Sequence, residues 1–228
     1  MQNILYNRYI RCIMEAAVGK QLDLKQKAYQ AIKDKVIKCE ILPGEDISEN
    51  DIAREIGISR TPVREALMRL EHEKFITIYP RKGIVVSNIS IDIINDIFQI
   101  RQIVEPQILY EAAKNLPLNW LKEMRRKFET ARDDEVDFRA LVELDKEFHK
   151  YIINASGNAY LQRLMENIYD QNQRIRVISS RDKARLHISN SEHVCLIDAI
   201  LDNDLERAVK KLREHLDNAR ASALKLGR

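Results

Sequence analysis

Four residues of this chain have the types and spacing of a metal-binding set. Asp145 and His149 stand four apart, so on a helix they project from the same face. They border the apolar stripe Leu141, Leu144, Phe148 and Ile152, which turns them inward or to the stripe's margin. His193 falls in line with Leu186, Asn190, Ile197 and Ile200, and His215 with Ala208, Leu212 and Ala219. One carboxylate and three imidazoles on three helices make a borderline donor set, suited to Zn²⁺, Ni²⁺ or Mn²⁺. A histidine on an inner face is equally accounted for by a hydrogen bond within a core, and the pattern alone leaves both readings open. Arg101 adds a guanidinium to the apolar stripe Ile94, Ile97, Val104 and Ile108. A buried Arg needs an anionic partner, here a ligand carboxylate, Glu105 or Asp145. As an effector contact, its replacement by Met is expected to abolish the response to effector while sparing metal content. His72, at the end of one helix, and His187, near the start of another, are poorer candidates.

A second chemistry belongs to the first third of the chain. Net charge is only +3, but residues 1–88 hold 15 Lys and Arg against 12 Asp and Glu, while residues 89–228 hold 23 of each. The basic excess centres on residues 54–82. Arg60 and Arg64 lie one turn apart with Thr61 between them, facing away from Val63, Leu67 and Leu70. The first residues of a recognition helix meet base edges in the major groove, where Arg reads guanine. Arg81, Lys82 and Gly83 form a basic tip that can reach phosphate or the minor groove. A solvated basic face is the alternative.

The elements needed to place these residues are legible. Residues 1–23 form an amino-terminal extension, with a helix from about Ile4 to Val18. Leu24 to Cys39 has helical spacing and is stopped by Leu42-Pro43-Gly44. Ser48 and Asp51 form a capping-box pattern for a second helix that ends at Gly57, and a third opens at Ser59 with Pro62 in its first turn. Residues 75–79 and 84–86 read as two strands around a basic hairpin. Residues 24–88 are therefore a winged helix-turn-helix. Residues 89–228 read as six helices, at about 90–114, 117–133, 135–155, 158–179, 181–202 and 204–225, forming an antiparallel bundle. The expected fold is mostly α.

Composition narrows the function. With 6 Gly and 5 Pro in 228 residues, turn-dense all-β and linker-rich readings are poor. No apolar run approaches the length of a membrane span, and Arg8, Arg11 and Glu15 interrupt any signal-peptide core. The expectation is a cytoplasmic protein with no membrane partner and, given three scattered cysteines, no disulfide framework.

The stretch from Ile52 to Glu71, above all Ser59-Arg60-Thr61-Pro62-Val63-Arg64-Glu65-Ala66-Leu67, resembles the winged-helix signature of the GntR family of bacterial transcriptional regulators. The resemblance implies that Ser59, Arg60, Thr61, Arg64, Arg81, Lys82 and Gly83 contact double-stranded operator DNA and that the protein works as a homodimer. Some members carry a basic residue where this chain has Asn50. The segments Leu144–His149, Glu192–Ile197 and His215-Leu216 are similar to the metal-binding segments of the FCD effector domain. That similarity implies Asp145, His149, His193 and His215 as ligands of a divalent transition metal, Zn²⁺ first, and about residues 90–225 as an effector and dimerisation domain. The expected function is a regulator, repressor in sign, whose operator affinity is modulated by a small carboxylate at the metal, with Arg101 as a contact. The alternative is a metal-dependent helical hydrolase with a nucleic-acid-binding appendage. Against it, the chain has no His-Asp dipeptide, Gly-rich phosphate loop, nucleophile elbow or His-Glu-x-x-His run, and no catalytic set is assigned.

Overall fold

The computed structural model describes residues 23–131, 137–179 and 183–227. The helix expected at Ile4–Val18 lies outside these residues. The chain divides between Asn88 and Ile89 into two units, each with its own core.

In the first unit, α1 (residues 23–37) buries Ala28, Tyr29, Ile32 and Val36. Helix α2 (Glu49–Ile56) is capped by Ser48, whose hydroxyl accepts from the Asp51 N–H at 3.3 Å. Gly57 closes it with φ 72°, a left-handed conformation that costs glycine little and lets α3 (Arg60–His72) set off at once in a new direction. Helix α3 buries Pro62, Val63, Ala66, Leu67 and Leu70. Strands β1 (Ile76–Tyr79) and β2 (Gly83–Val86) pair antiparallel, with Ile76 opposite Val86 and Tyr79 opposite Gly83. The segment before α2 adds to the β2 edge through Gly44 N–H to Val86 O and Ile47 N–H to Ile84 O, at 2.9 and 2.7 Å. The result is a helix-turn-helix with a wing.

The second unit holds α4 (Ile91–Ala112), α5 (Leu118–Thr130), α6 (Phe138–Asn154), α7 (Ala159–Ser179), α8 (Lys183–Leu201) and α9 (Leu205–Ala223). Their breaks include Pro117, Gly157 (φ 66°) and Asn203 (φ 58°). Helix α4 packs against α6, α7 and α9, and α8 against α5 and α9. Pro106 lies inside α4 and has no N–H for the Gln102 carbonyl. Arg213 of α9 donates to that oxygen at 3.1 Å instead, tying the two helices. Phe98, Leu109, Met124, Phe128, Phe148, Leu212 and Leu216 are shut from solvent in one continuous core. Among the described residues, no helix is long and apolar enough to cross a membrane.

Candidate metal centre and nucleic-acid face

The i, i+4 spacing in α6 places Asp145 and His149 side by side, and α8 and α9 bring His193 and His215 to meet them. Each of the four is at most 2% exposed. From Asp145 Oδ1, the Nε2 atoms of His193, His149 and His215 are 3.3, 3.8 and 3.9 Å away. One ligand atom from each of the four residues lies within 4.8 Å of the others.

The opposite ring nitrogens explain this convergence. His149 Nδ1 is 2.7 Å from Glu105 Oε2, His193 Nδ1 2.8 Å from the Ser189 carbonyl, and His215 Nδ1 2.8 Å from Glu192 Oε2. All three partners accept, so each Nδ1 donates its proton and each Nε2 turns a lone pair to the centre. His193 and His149 then face each other at 3.2 Å, Nε2 to Nε2, with no proton assigned between them. Two buried lone pairs at that distance repel. Two nitrogens bound at about 2.0–2.1 Å to one Zn²⁺ stand roughly 3 Å apart, so a shared cation would resolve the conflict. His215 Nε2 has no hydrogen-bond partner, and neither has Asp145 Oδ1, although the Arg176 guanidinium makes a close ion-pair contact with it. The donor set fits a divalent metal.

Aromatic packing and arginines hold the ligands. Phe128 stacks on the His193 ring at 4.3 Å, and Phe148 meets it edge-on at 5.3 Å. Arg101 is 1% exposed and donates through Nε to Glu105 Oε1 at 2.6 Å, so Arg101 holds Glu105 and Glu105 holds His149. Arg185 grips both Glu192 oxygens, at 3.1 and 3.2 Å, and Glu192 holds His215. Burial pushes the Glu105 carboxyl up, but Arg101 and His149 outweigh it and hold the pKa down at about 2. Burial also opposes ionisation of Asp145, yet Arg176 and the imidazoles keep it below the carboxylate range. The Tyr169 hydroxyl donates to the His149 carbonyl at 3.2 Å.

Sequence reasoning named Glu105 only as one partner for Arg101, and it missed the supporting roles of Glu192, Arg176, Arg185 and Tyr169. The i, i+4 spacing of Arg101 and Glu105 was the available signal for one of these pairs. His72 is exposed, and His187 borders a cleft between α8 and α9 lined also by Cys195 and His215.

Burial drives the pKa of both His193 and His215 well below the ordinary imidazole value of 6.5. A base whose folded pKa is depressed leaves stability intact above its unfolded pKa and loses it as pH falls below that value. The chelated protein is therefore expected to melt at progressively lower temperature as pH drops below about 6.5, towards 5. A Tm that is flat across that window contradicts the placement of two neutral histidines.

In the first unit, Ser59, Arg60, Thr61 and Arg64 are exposed at the start of α3, and Arg81, Lys82 and Gly83 at the wing tip. Arg64 donates to both oxygens of Glu49, at 3.0 and 3.2 Å, which fixes the plane of its fork. Arg69 of the same helix lies on the Tyr29 ring, 3.6 Å from its centroid, and bonds Glu73, which makes it a packing residue.

Residues 24–86 match the bacterial regulatory protein family gntR, and residues 96–218 match the FCD domain. An uncharacterised HTH-type transcriptional regulator from an unstable DNA locus of Streptomyces ambofaciens is 26% identical over 192 residues, covering 84% of this chain and 81% of its own. The transcriptional repressor RspR of Escherichia coli is 22% identical over 205 residues, covering 89% and 90%. Among solved structures, E. coli McbR/YncC superposes with a TM-score of 0.78 at 21% identity, covering 90% of this chain and 99% of its own, a likeness of fold. The FCD domain of TM0439 matches in two forms. Its metal-free form has TM-score 0.56 at 27% identity and its Zn²⁺-bound form 0.50 at 29%; each covers 61% of this chain, and 97% and 96% of its own.

Proposed function

Since the chain belongs to the gntR family of bacterial regulatory proteins and carries an FCD domain, we propose that it is an effector-controlled regulator whose operator affinity answers to a small carboxylate held at a metal centre. Family membership makes it a DNA-binding transcriptional regulator, and the hydrolase alternative falls with it. The observation that carries the effector reading is the inward turn of three Nε2 lone pairs onto Asp145, with every Nδ1 occupied.

Asp145, His149, His193 and His215 hold the metal, with Zn²⁺ our choice; the TM0439 domain has been solved with that ion. When bound, the ion supplies a Lewis-acidic centre with coordination positions open to carboxylate oxygens. Glu105, Glu192 and the Ser189 carbonyl accept from the Nδ1 atoms and keep the Nε2 atoms aimed inward. Arg101 adds positive charge to this wall and favours an anionic effector. An effector that binds one packing of the helical unit better than another shifts operator affinity by the ratio of the two affinities. We assign the sign of a repressor, as RspR's name gives for that protein, and a homodimer reading two half-sites. Residues 24–88 are the DNA-binding domain and residues 89–228 the effector and dimerisation domain.

On DNA, Ser59, Arg60, Thr61 and Arg64 meet the major groove, and Arg81, Lys82 and Gly83 meet the backbone or minor groove. Selection from a randomised duplex pool is expected to enrich a two-fold-symmetric site bound with a steep salt dependence. On that site, Arg60→Ala and Arg64→Ala are each expected to cost about 1–3 kcal/mol and to relax discrimination at the contacted base. Lys82→Ala is expected to weaken all sequences alike and to lower the salt slope by about one. No enriched site, or equal losses on selected and random DNA for the arginine variants, removes this assignment.

A further inference from the structure

Helix α3 carries two exposed arginines one turn apart, Arg60 and Arg64, and the second of them is gripped from the neighbouring helix. Glu49 opens α2 and meets Arg64 across the turn at Gly57. Arg64 Nε donates to Glu49 Oε1 at 3.2 Å and Nη2 to Oε2 at 3.0 Å, so both carboxylate oxygens accept from one edge of the guanidinium. An acidic residue in the first turn of a helix is accounted for by the helix dipole. The dipole does not require both oxygens to reach a residue fifteen positions along the chain. Nor does stability, because a pair whose Arg is 66% exposed contributes little.

The guanidinium's shape decides what this grip leaves. It offers five N–H donors in a rigid planar fork. Glu49 takes the Nε–H and one Nη2–H. The second Nη2–H and an Nη1–H form the other edge, and their spacing matches O6 and N7 of a guanine. Held by one edge, the side chain has already given up much of its rotamer freedom, so DNA has less ordering to impose. The carboxylate has a second effect. It sets a negative charge beside a face that meets phosphates, which opposes attachment to DNA of any sequence.

Resting on the assignment of Arg64 to the major groove, we infer that Glu49 is a positioning residue that sets sequence specificity: it presents the outer edge of Arg64 to a guanine and weakens attachment to DNA that lacks one. Both effects widen the gap between the operator and other sequences, the first by favouring the right base and the second by penalising the rest.

The test uses the full-length protein with the selected duplex, its single-base-pair variants and a random duplex, all at fixed salt. Arg60→Ala and Arg64→Ala first identify the base pair that each arginine reads. Glu49→Gln keeps the side-chain volume and the Ser48 cap while removing one acceptor and the charge. It is expected to lower discrimination at the Arg64 base pair about fivefold or more and to leave the Arg60 base pair unchanged. It should also bind the random duplex about two- to threefold tighter. Glu49→Asp keeps the charge but draws it back by one methylene, so it should lose discrimination at the same base pair without gaining on random DNA. Added to Arg64→Ala, Glu49→Gln should lower discrimination no further. A contact that only braces α2 against α3 predicts equal losses at both base pairs and no gain on random DNA. That result overturns the inference, as does a loss that persists once Arg64 is gone. If Arg64→Ala relaxes no base pair, the assignment of Arg64 fails and this inference with it. If Arg64→Ala relaxes one that Glu49→Gln leaves intact, the role of Glu49 alone is overturned.

Discussion

Saturating Zn²⁺ is expected to raise the melting temperature of the chelated protein by about 10 °C, and Asp145→Asn to remove most of that rise. An ion that binds only the folded state stabilises it by about 4 kcal/mol at a thousandfold excess over its Kd. A unit of this size gains about 2–4 °C per kcal/mol. Asp145 supplies the one carboxylate of the set, and its Oδ1 faces all three Nε2 atoms, so its loss weakens every part of the site at once. The chelated protein should still melt cooperatively. Phe98, Phe128, Phe148, Leu212 and Leu216 sit in one continuous apolar core whose burial is itself a source of stability. Unfolding on chelation would instead make the ion a structural staple. Calorimetric melts of both proteins, with and without Zn²⁺, decide between these outcomes.

Arg101→Met is expected to cost about 3–5 kcal/mol, because it strands Glu105 as a buried charge with its principal cation gone. The same substitution should lower Zn²⁺ affinity, since Glu105 is what turns His149 inward. The sequence alone led to the expectation that Met at position 101 spares metal content; the contacts from Arg101 through Glu105 to His149 argue for the opposite outcome. The guanidinium holds a carboxylate that holds a ligand, so structural and effector roles are joined. Adding Glu105→Gln removes the stranded charge, and Arg101→Met/Glu105→Gln should regain at least half of the lost stability. It should still respond poorly to effector, because the positive wall is gone. Denaturant melts of the two singles and the double measure the coupling directly; additive losses contradict a buried pair.

Much of this arrangement was readable from the chain because the relevant residues obey a period. His193 and His215 could be set on inner faces because each falls on an apolar row, and Gly57 marked the helix-turn-helix because its turn needs a left-handed residue. The supporting charges obey no such rule. Arg185 and Glu192, seven apart, read like any solvated pair on a helix surface until α9 brings His215 to them. Helix α7 misleads more strongly. Residues Asp170, Gln171, Asn172, Gln173 and Arg174 look like a stretch of exposed polar surface, yet all five are buried, because α4, α6 and α9 all pack on that helix. Arg176, whose guanidinium contacts Asp145, lies just beyond that stretch and could not be distinguished from it by pattern. Arg69 shows the converse: a basic residue of α3 that counts towards the positive patch but is spent on the Tyr29 ring.

The central claim is that an anion arriving at Asp145 and its three histidines changes operator affinity. The direct measurement is the affinity of Zn²⁺-loaded protein for its selected duplex at fixed salt, with and without the small carboxylate that binds it best, beside Asp145→Asn. The expected result is a shift of about tenfold or more in the loaded wild type, a coupling of about 1.4 kcal/mol, and none in Asp145→Asn. An equal shift in both proteins, or none in a wild type shown to hold both Zn²⁺ and the carboxylate, would contradict it.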